Sequence, residues 1–326
     1  MPQLRDSRPV SPTPRLHRSV VVAAVVFASM AATATHADAQ KGGDPGKGSA
    51  RMAVERRAAI ASDASIRFSG AISSLKIIGW DQDSLVVSGS VPKGWMFDGG
   101  ISSSAIGLPR GAKFYVQSPS EAYASGATLE IRVPNRARVW AKTGSATIEV
   151  SGVTGGLDLN VVGGSVTVSN APRELNIESM DGKVIVLGGA SWLRVKTATG
   201  DIDVRGGSED AGLSSVSGTV RVTDGRYERG KFETVTGDIV YQGDVGYKGT
   251  VDLSTHSGRI EIRLPPSPSV EFDGATVTGT IENRVTHSRP IVGREGRGME
   301  LGFSSGSGDT RMIVRSFKGN VELKPR

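Results

Sequence analysis

The chain contains no cysteine among its 326 residues. Neither disulfide bonds nor thiolate metal sites can therefore hold it together. Aromatic residues make up only 5% of the sequence, and two of its four histidines precede residue 40. The other two, His256 and His287, lie in no recognisable nucleophile or zinc-binding motif. We therefore expect no metal site, no cofactor and no catalytic residue of the serine–histidine type.

The chain also lacks a dominant charge and long hydrophobic runs. Its formal net charge is +6, and this falls to +4 without residues 1–39, which carry four arginines and two aspartates. The basic residues form no stripe, so nucleic acid is not expected as a partner. After residue 39 no apolar run approaches the length of a transmembrane helix. We predict no transmembrane segment in the mature chain.

The first 39 residues have the pattern of a secretory signal peptide. Several arginines precede an apolar run over residues 20–34, which is too short to span a membrane. The run is followed by Ala37-Asp38-Ala39, a typical cleavage pattern. The sequence thus predicts export to the periplasm or the cell surface. It further predicts a flexible leader over residues 40–60 and one folded domain over residues 61–326.

Glycine is abundant, at 43 residues, and much of it belongs to an internal repeat. Similar lines recur, such as "VKTATGDIDVRGG" at 195–207 and "IESMDGKVIVLGG" at 177–189. Each line contains one origin position, usually the glycine of a Thr-Gly or Ser-Gly pair. The origins are Ala146, Gly164, Gly182, Gly200, Gly218, Gly237, Gly258 and Gly279. Their spacing is 18 residues, then 19 and 21, which suits one coil of a β-solenoid.

Apolar residues occur at fixed offsets from each origin. Offsets of +2 and +4 hold residues such as Ile202 and Val204, while offsets of −7 and −5 hold residues such as Leu193 and Val195. A spacing of two places such residues on one face of a strand. We predict an all-β fold, a single parallel β-helix-like β-solenoid of about 18–21 residues per coil, with two strands in each coil.

The repeat also divides the domain. Residues 61–138 are predicted to form an irregular N-terminal β cap with the first strands, residues 139–283 the regular coils, and residues 284–326 an insertion and the last coil. A small hydroxyl three positions before every origin except Gly164, where Val161 stands, is expected to satisfy backbone groups at a bend, as at Thr197. The last strand is predicted to be an open edge, protected from further pairing by the terminal Lys-Pro-Arg.

Three stretches, read with the repeat, carry a resemblance to a known family. They are "KIIGWDQDSLVV" (76–87), "LEIRVPNRARVWAKTGSATIEV" (129–150) and "VRSFKGNVELKPR" (314–326). With these stretches the chain resembles the bacterial putative-adhesin family of β-strand-repeat proteins, a domain of unknown function. The resemblance covers roughly residues 66–323 and implies an exported β-solenoid. It implies no catalytic residues, and the insertions at 92–126 and 284–299 depart from the family pattern.

Two groups of residues are candidate sites. The densest aromatic group comprises Trp95, Phe97, Phe114 and Tyr115, which are either a ligand surface or the core of the cap. Glu261 and Glu282 share an outward offset on successive coils, so one of them could have a raised pKa or the two could bind a cation. Other outward charges are expected to form ion pairs between coils, namely Lys183 with Asp201, Arg221 with Asp203 and Arg259 with Asp238.

These observations favour a non-enzymatic exported protein with adhesin-like binding or a structural role in the cell envelope. A polysaccharide lyase or hydrolase on a β-helix scaffold is one alternative, and Glu261 and Glu282 would then be its acidic residues. A second alternative is an envelope scaffold that partners a regulatory membrane protein. The candidate partners are accordingly a surface polymer, a glycan or an envelope protein.

Overall fold

The structure is a computed structural model that describes residues 50–119, 126–293 and 296–326. The chain divides into residues 1–47 and 48–326, so the predicted signal peptide and most of the leader lie outside the described residues. The described residues form strands and no α-helix, and no membrane-spanning helix is found in these three ranges. The strands are β1 (Arg51–Ala59), β2 (Ser65–Gly70), β3 (Ile72–Trp80), β4 (Ser84–Pro92), β5 (Met96–Ile101), β6 (Gly111–Gln117), β7 (Ala127–Pro134), β8 (Arg138–Ser151), β9 (Gly156–Ser169), β10 (Glu174–Ser179), β11 (Lys183–Leu187), β12 (Trp192–Thr197), β13 (Ile202–Arg205), β14 (Ser208–Ser215), β15 (Val220–Thr234), β16 (Ile239–Thr255), β17 (Ile260–Leu264), β18 (Val270–Thr276), β19 (Ile281–Asn283), β20 (Ile291–Val292), β21 (Met299–Ser305), β22 (Arg311–Ser316) and β23 (Val321–Pro325).

The strands stack in two columns, and each coil contributes one strand to each column. The long strand β9 bends and contributes to both columns. In the first column its residues 156–161 pair in parallel with β10, followed by β12 and β14, with Leu157, Leu175 and Leu193 in register. In the second column β9, β11, β13 and β15 pair in parallel, with Val184 beside Ile202. Both registers advance by the 18-residue period of the sequence. The predicted all-β fold of stacked repeats is confirmed, and the arrangement is β-solenoid-like.

The core lies between the two columns and is built from the predicted offsets. Ile202, Val220, Ile239 and their equivalents are completely buried, as are Leu193, Val195 and Leu253. Neighbouring coils cover each other's apolar side chains, so one continuous core runs along the stack. Where an inward position holds glycine, an aromatic ring fills the space. A Cβ on Gly230 would lie 3.0 Å from the Phe232 ring, and a Cβ on Gly274 would lie 2.7 Å from the Phe272 ring.

The predicted hydroxyl row is confirmed at the bends between the two columns. The Thr197 hydroxyl donates to the Gly200 carbonyl at 2.6 Å, and the Gly218 amide donates to the Ser215 hydroxyl at 2.9 Å. The hydroxyls from Ser179 to Ser316 are buried in successive coils and satisfy backbone groups at the bends, whereas Val161 stands at this position in one coil and the buried Thr143 hydroxyl has no partner among the described residues. The backbone groups at these bends therefore find their hydrogen-bond partners in a side chain of the repeat.

The coils do not stack in sequence order at the C-terminal end. β22 pairs with β16 on one side and β18 on the other, and β23 pairs with β17 and β19. The last coil is thus inserted between two coils that precede it in the chain. The prediction that the last strand is an open edge is wrong, because both sides of β23 are paired. The bend glycines, one per coil, are in stacking order Gly164, Gly182, Gly200, Gly218, Gly237, Gly258, Gly319 and Gly279.

The N-terminal end repeats this arrangement. β2 lies between β6 and β8, and β3 lies between β7 and β8, so an early coil is again enclosed by later ones. Beyond them β5 pairs antiparallel with β6, while β4 and then β1 continue the second column antiparallel. β1 covers part of the predicted flexible leader, and that part of the prediction is wrong. The strand is held because Val54 and Ile60 are buried in the core.

Candidate functional site

The aromatic group near the N-terminal end belongs largely to the core. Phe114 is 2% exposed, and its ring stacks on Phe68 at 5.2 Å and on Phe97 at 5.6 Å between centroids. Phe97 and Trp95 are half-buried against that core. Phe114 is therefore chiefly a core residue, but its ring also lines a cavity of 220 Å³ beside Leu85 and Ile101, and its assignment to a ligand surface stays a prediction. A ligand role for Trp95, Phe97 or Tyr115 stays a prediction as well.

Tyr115 has a polar partner of its own. Its hydroxyl donates to Asp98 Oδ2 at 2.6 Å, and the Gly99 amide donates to Asp98 Oδ1 at 2.6 Å. The hydrogen bond from Tyr115 lowers the pKa of the Asp98 carboxyl and raises the pKa of the Tyr115 hydroxyl. The pair fixes the antiparallel strands β5 and β6 to each other at the surface.

Glu261 and Glu282 do not lie on neighbouring coils, because Glu322 lies between them in the register. Each carboxylate is paired with an arginine two residues further along the chain. Arg263 binds Glu261 at 2.8 Å and Arg284 binds Glu282 at 2.7 Å. The predicted like-charge pair is therefore wrong: the inserted last coil separates the two carboxylates, and cations neutralise both.

Glu261 is the most enclosed of these glutamates, at 7% exposure. Besides Arg263 it accepts a hydrogen bond from Lys324 Nζ at 2.9 Å. The Lys324 ammonium, followed by Arg263, lowers the pKa of the Glu261 carboxyl. A raised pKa suited to a general acid was the basis of the hydrolase alternative, and Glu261 has the opposite shift.

The lowered pKa of Glu261 predicts a pH dependence of stability. A carboxyl with a depressed folded pKa stabilises the fold fully above its ordinary pKa of 4.5 and loses that contribution as the pH falls through the lower folded value. Between about pH 7 and about pH 3 we therefore expect the free energy of unfolding to fall less in Glu261→Gln than in the parent chain. Urea unfolding at both pH values measures this difference.

Glu149→Gln is the matched control for that experiment. Glu149 has the same outward offset on its coil, is exposed, and forms no ion pair with the described part of the chain. Its replacement should leave the pH dependence unchanged. An equal effect of both variants would show that Glu261 has no special coupling to Lys324 and Arg263.

Other outward charges pair between coils much as predicted. Arg221 binds Asp203 at 3.0 Å, and Arg259 Nη2 lies 3.7 Å from Asp238. Lys183 binds Asp203 at 2.8 Å rather than Asp201, so that predicted pair is wrong. Asp201 instead accepts a hydrogen bond from the Thr219 amide at 2.8 Å. Exposed pairs of this kind contribute little to stability, about 0–1 kcal/mol each.

A groove lies on the side of the stack where each second-column strand turns into the next coil. It has a volume of 480 Å³ and crosses five successive coils. Its floor consists of small residues, among them Ala190, Gly207 and Ser208. The chain turns beside this floor at Gly188 with φ 120° and Gly206 with φ 124°, and the turns pack closely, since a Cβ on Gly207 would lie 2.4 Å from the Arg226 carbonyl oxygen. The floor of the groove is therefore low because the turns that form it are tight.

Four charged side chains form the rim of the groove: Arg173, Glu209, Arg226 and Glu228. All four are exposed, and none forms an ion pair within the ranges that the structure describes. They differ in this from the paired charges on the strand faces. Arg173 lies three coils from Arg226 along the stack, a distance of roughly 14 Å at the spacing of neighbouring strands. The rim thus presents separated, unneutralised cations beside carboxylates.

An aromatic side chain projects beside one end of the groove. The register between β15 and β16 shifts after Tyr227, and the extra residues form a bulge at 246–249. In this bulge Tyr247 is 70% exposed, and a Cβ on Gly246 would lie 3.1 Å from Glu228 Cγ. The change of period from 18 to 21 residues was visible in the sequence, but the groove beside it was not. In the described ranges no three His, Asp or Glu side chains are close enough to hold a metal ion.

Solved structures with similar arrangements come from several bacteria. A "putative cell adhesion protein" from Clostridium sporogenes is 10% identical, with 84% of this chain and 100% of that chain covered and a TM-score of 0.21. A "putative adhesin" from Bacteroides fragilis is 10% identical, with 83% and 97% covered and a TM-score of 0.39. A "putative lipid binding protein" from Parabacteroides distasonis is 12% identical, with 83% and 96% covered and a TM-score of 0.34.

In sequence, no curated protein matches the chain. The sequence model of the family described as Toastrack DUF4097 matches residues 82–324, which extend from before β4 to the end of β23. The matched region contains all the regular coils and the inserted last coil, and it is well over half of the chain. The chain therefore belongs to the Toastrack DUF4097 family, a domain of unknown function.

Proposed function

We propose that the protein is an exported, non-enzymatic β-solenoid of 18–21 residues per coil that binds a surface polymer in an adhesin-like manner. The observation that carries this proposal is the groove across five coils with an unpaired charged rim. A solenoid turns one short turn motif into an extended surface, and such surfaces suit extended ligands. Export follows from the predicted signal peptide at residues 1–39.

The polymer that best fits this groove is an acidic glycan. Guanidinium groups bind carboxylates with two parallel hydrogen bonds, and Arg173 and Arg226 would engage two carboxylates along one extended chain. Glu209 and Glu228 can accept hydrogen bonds from sugar hydroxyls between them. The exposed ring of Tyr247 offers an apolar face at one end. A small ligand would not use cations so far apart.

The alternatives receive less support from the residues on which they depend. The polysaccharide lyase or hydrolase alternative relied on Glu261 and Glu282, which are separated and paired with cations. Nothing in the geometry of the described residues favours a regulatory membrane protein as partner over a polymer. Both alternatives are outcomes of the experiment below.

We expect Arg173→Ala/Arg226→Ala to weaken binding of polygalacturonate by about tenfold or more, as loss of two charge-assisted contacts would. Calorimetry with the purified mature chain measures this, with methyl-esterified polygalacturonate as the neutral comparison. Binding of the acidic polymer should also weaken as salt is added. Arg311→Ala is the matched control, since Arg311 is exposed, lies outside the groove and forms no ion pair with the described residues.

Equal affinity of the double variant and the parent chain would overturn the assignment of the groove. New reducing ends or unsaturated sugars in the mixture would instead identify the lyase or hydrolase alternative. Failure to bind any polysaccharide, together with capture of one membrane protein from an envelope extract, would favour the scaffold alternative.

A further inference from the structure

A row of side chains, six of them exposed and apolar and two half-buried (Ala198 and His256), runs along the bend between the two columns, away from the groove. Each member stands two positions before a bend glycine. We name this set the corner row; in stacking order it is Val162, Met180, Ala198, Val216, Val235, His256, Phe317 and Val277. Val162 and Met180 are each 54% exposed, and Val235 is 44% exposed. Extended apolar patches of this kind mark interaction sites in soluble proteins.

The corner row is continuous. The Met180 amide donates to the Val162 carbonyl and the Val235 amide to the Val216 carbonyl, each at 3.2 Å. At the other end the rings of His256 and Phe317 stack at 4.9 Å. Because neighbouring strands are about 4.8 Å apart, eight members extend over roughly 35 Å. The regular spacing matters, since a partner must offer apolar groups at the same interval.

A neighbouring row, one position before each bend glycine, is almost uncharged. Its members are Gly163, Asp181, Thr199, Ser217, Thr236, Ser257, Lys318 and Thr278. The stack continues beyond Val162 into β8, which adds no side chain to the corner row because Gly144 stands there. Within the row, Asp181 belongs to the second coil from one end and Lys318 to the second coil from the other. Both are exposed, and neither forms an ion pair with the described part of the chain. The two charges are therefore placed symmetrically about the middle of the row.

We infer that the corner row is the interface of a homodimer in which two copies pack antiparallel. The two-fold axis crosses the row between Val216 and Val235. A second copy of the chain necessarily offers apolar side chains at the same spacing as the corner row. This symmetry places every row opposite the same row of the second copy, running in reverse. Asp181 then faces Lys318 of the second copy, and the pair forms twice.

The corner row itself is complementary under this symmetry. Val216 faces Val235, and Val162 faces Val277, so aliphatic residues meet aliphatic ones. The smallest member, Ala198, faces the ring of His256. Met180 faces Phe317, and a thioether against an aromatic ring is a favourable contact.

The outward rows on either side fix the register. In the dimer Glu178 faces Arg315, and Asp201 faces Arg259, so opposite charges meet. A slip of one coil in one direction places Lys183 against Arg259 and Asp201 against Asp238, and these two like-charge contacts outnumber the one opposite-charge contact, Lys196 against Glu233. A slip in the other direction places Glu233 and Asp238 each against itself. Like charges thus penalise both neighbouring registers and leave one favoured alignment.

The size of the interface suggests a reversible dimer. A strip of roughly 35 Å by 15 Å buries about 500 Å² on each copy, near the lower end for specific association. Dissociation in the micromolar range is expected for such an area. The corner row and the groove lie on different sides of each coil, so dimerisation leaves both grooves open. The dimer is thus independent of the proposed glycan binding.

Charge reversal tests the dimer most directly. Asp181→Lys and Lys318→Asp each place two like-charge pairs across the two-fold axis, and each variant alone should be monomeric at concentrations where the parent chain dimerises. An equimolar mixture of the two variants restores both attractive pairs, so dimers should return. Sedimentation velocity measures the species, and we expect the dissociation constant to rise at least tenfold in each variant alone.

Two further variants complete the test. Val216→Asp, at the centre of the row, should abolish the dimer, whereas Leu187→Asp should not, because Leu187 has the same 37% exposure but lies on another face. A parent chain that is monomeric at about 200 μM, well above the micromolar range expected for this area, would overturn the inference. So would a mixture of the two charge variants that stays monomeric, since the variants are surface changes and their unfolding curves confirm folding.

Discussion

Replacing Gly237 with alanine is expected to destabilise the fold by roughly 3 kcal/mol or more. A Cβ at this position would lie 2.0 Å from the carbonyl oxygen of Gly218 on the neighbouring coil. The obstacle is backbone rather than a flexible side chain, so two coils would have to separate. Separation breaks hydrogen bonds and packing in both columns, because each coil is held by its neighbours. Urea unfolding of the mature chain measures the loss.

Gly144→Ala is the control for Gly237→Ala. Gly144 lies in the first bend, two positions before Ala146, and a Cβ there would have no atom within 4 Å. Alanine also reduces the conformational freedom of the unfolded chain, so Gly144→Ala should be neutral or slightly stabilising. A small effect of Gly237→Ala, comparable to that of Gly144→Ala, would show that the bends can separate without disturbing the stack.

The contact between bend glycines explains why the sequence predicted the stack well. Gly200 lies against Gly182, and Gly218 lies against Gly200, at the same 18-residue interval as the inward apolar residues. Two independent requirements, close approach at the bend and burial between the columns, therefore recur with one period. Their agreement fixed the two columns, their register and the buried residues at the four inward offsets from Val139 to Ile262 without any knowledge of tertiary contacts, whereas buried residues outside those offsets, such as Val153 and Tyr227, were not predicted.

The order of the coils was not predictable, because the same pattern fits any place in the stack. Val321 and Leu323 have the inward spacing of every second-column strand, and Gly319 can lie against any bend glycine. Periodicity specifies what a coil looks like but not which coil is its neighbour. The insertion of this coil between β17 and β19 changed the site as well, since it separated Glu261 from Glu282.

The two proposed surfaces differ in how far the sequence could reveal them. The corner row has a constant offset from the bend glycines, so an exposed apolar row could have been found by extending the column analysis to the outward positions. The groove has no such signal. Its depth depends on the backbone conformation of turns such as Gly206-Gly207, and the lack of ion pairs at Arg173 depends on where other side chains lie.

The inserted position of the last coil predicts a large effect at Val321. This side chain is completely buried between Ile260 and Ile281, although it lies only five residues before the C-terminal Arg326. We expect Val321→Asp to cost roughly 3 kcal/mol or more, as a charge does inside a core. Ile281→Asp should cost less, because β19 is the end of its column and can open locally. Urea unfolding of both variants gives the comparison.

Cysteine pairs test the cause of that effect, and the absence of native cysteine makes the result unambiguous. Ser254 is in register with Arg315, so Ser254→Cys/Arg315→Cys should form a disulfide under mild oxidation. If the coils stacked in sequence order, Ser254 would instead neighbour Ala275, and Ser254→Cys/Ala275→Cys would form the bond. In the structure Ala275 is two coils from Ser254, about 10 Å away, which is too far for a disulfide. Bonding of the second pair alone would place the last coil at the end of the stack, and Val321→Asp should then cost no more than a change at an end coil.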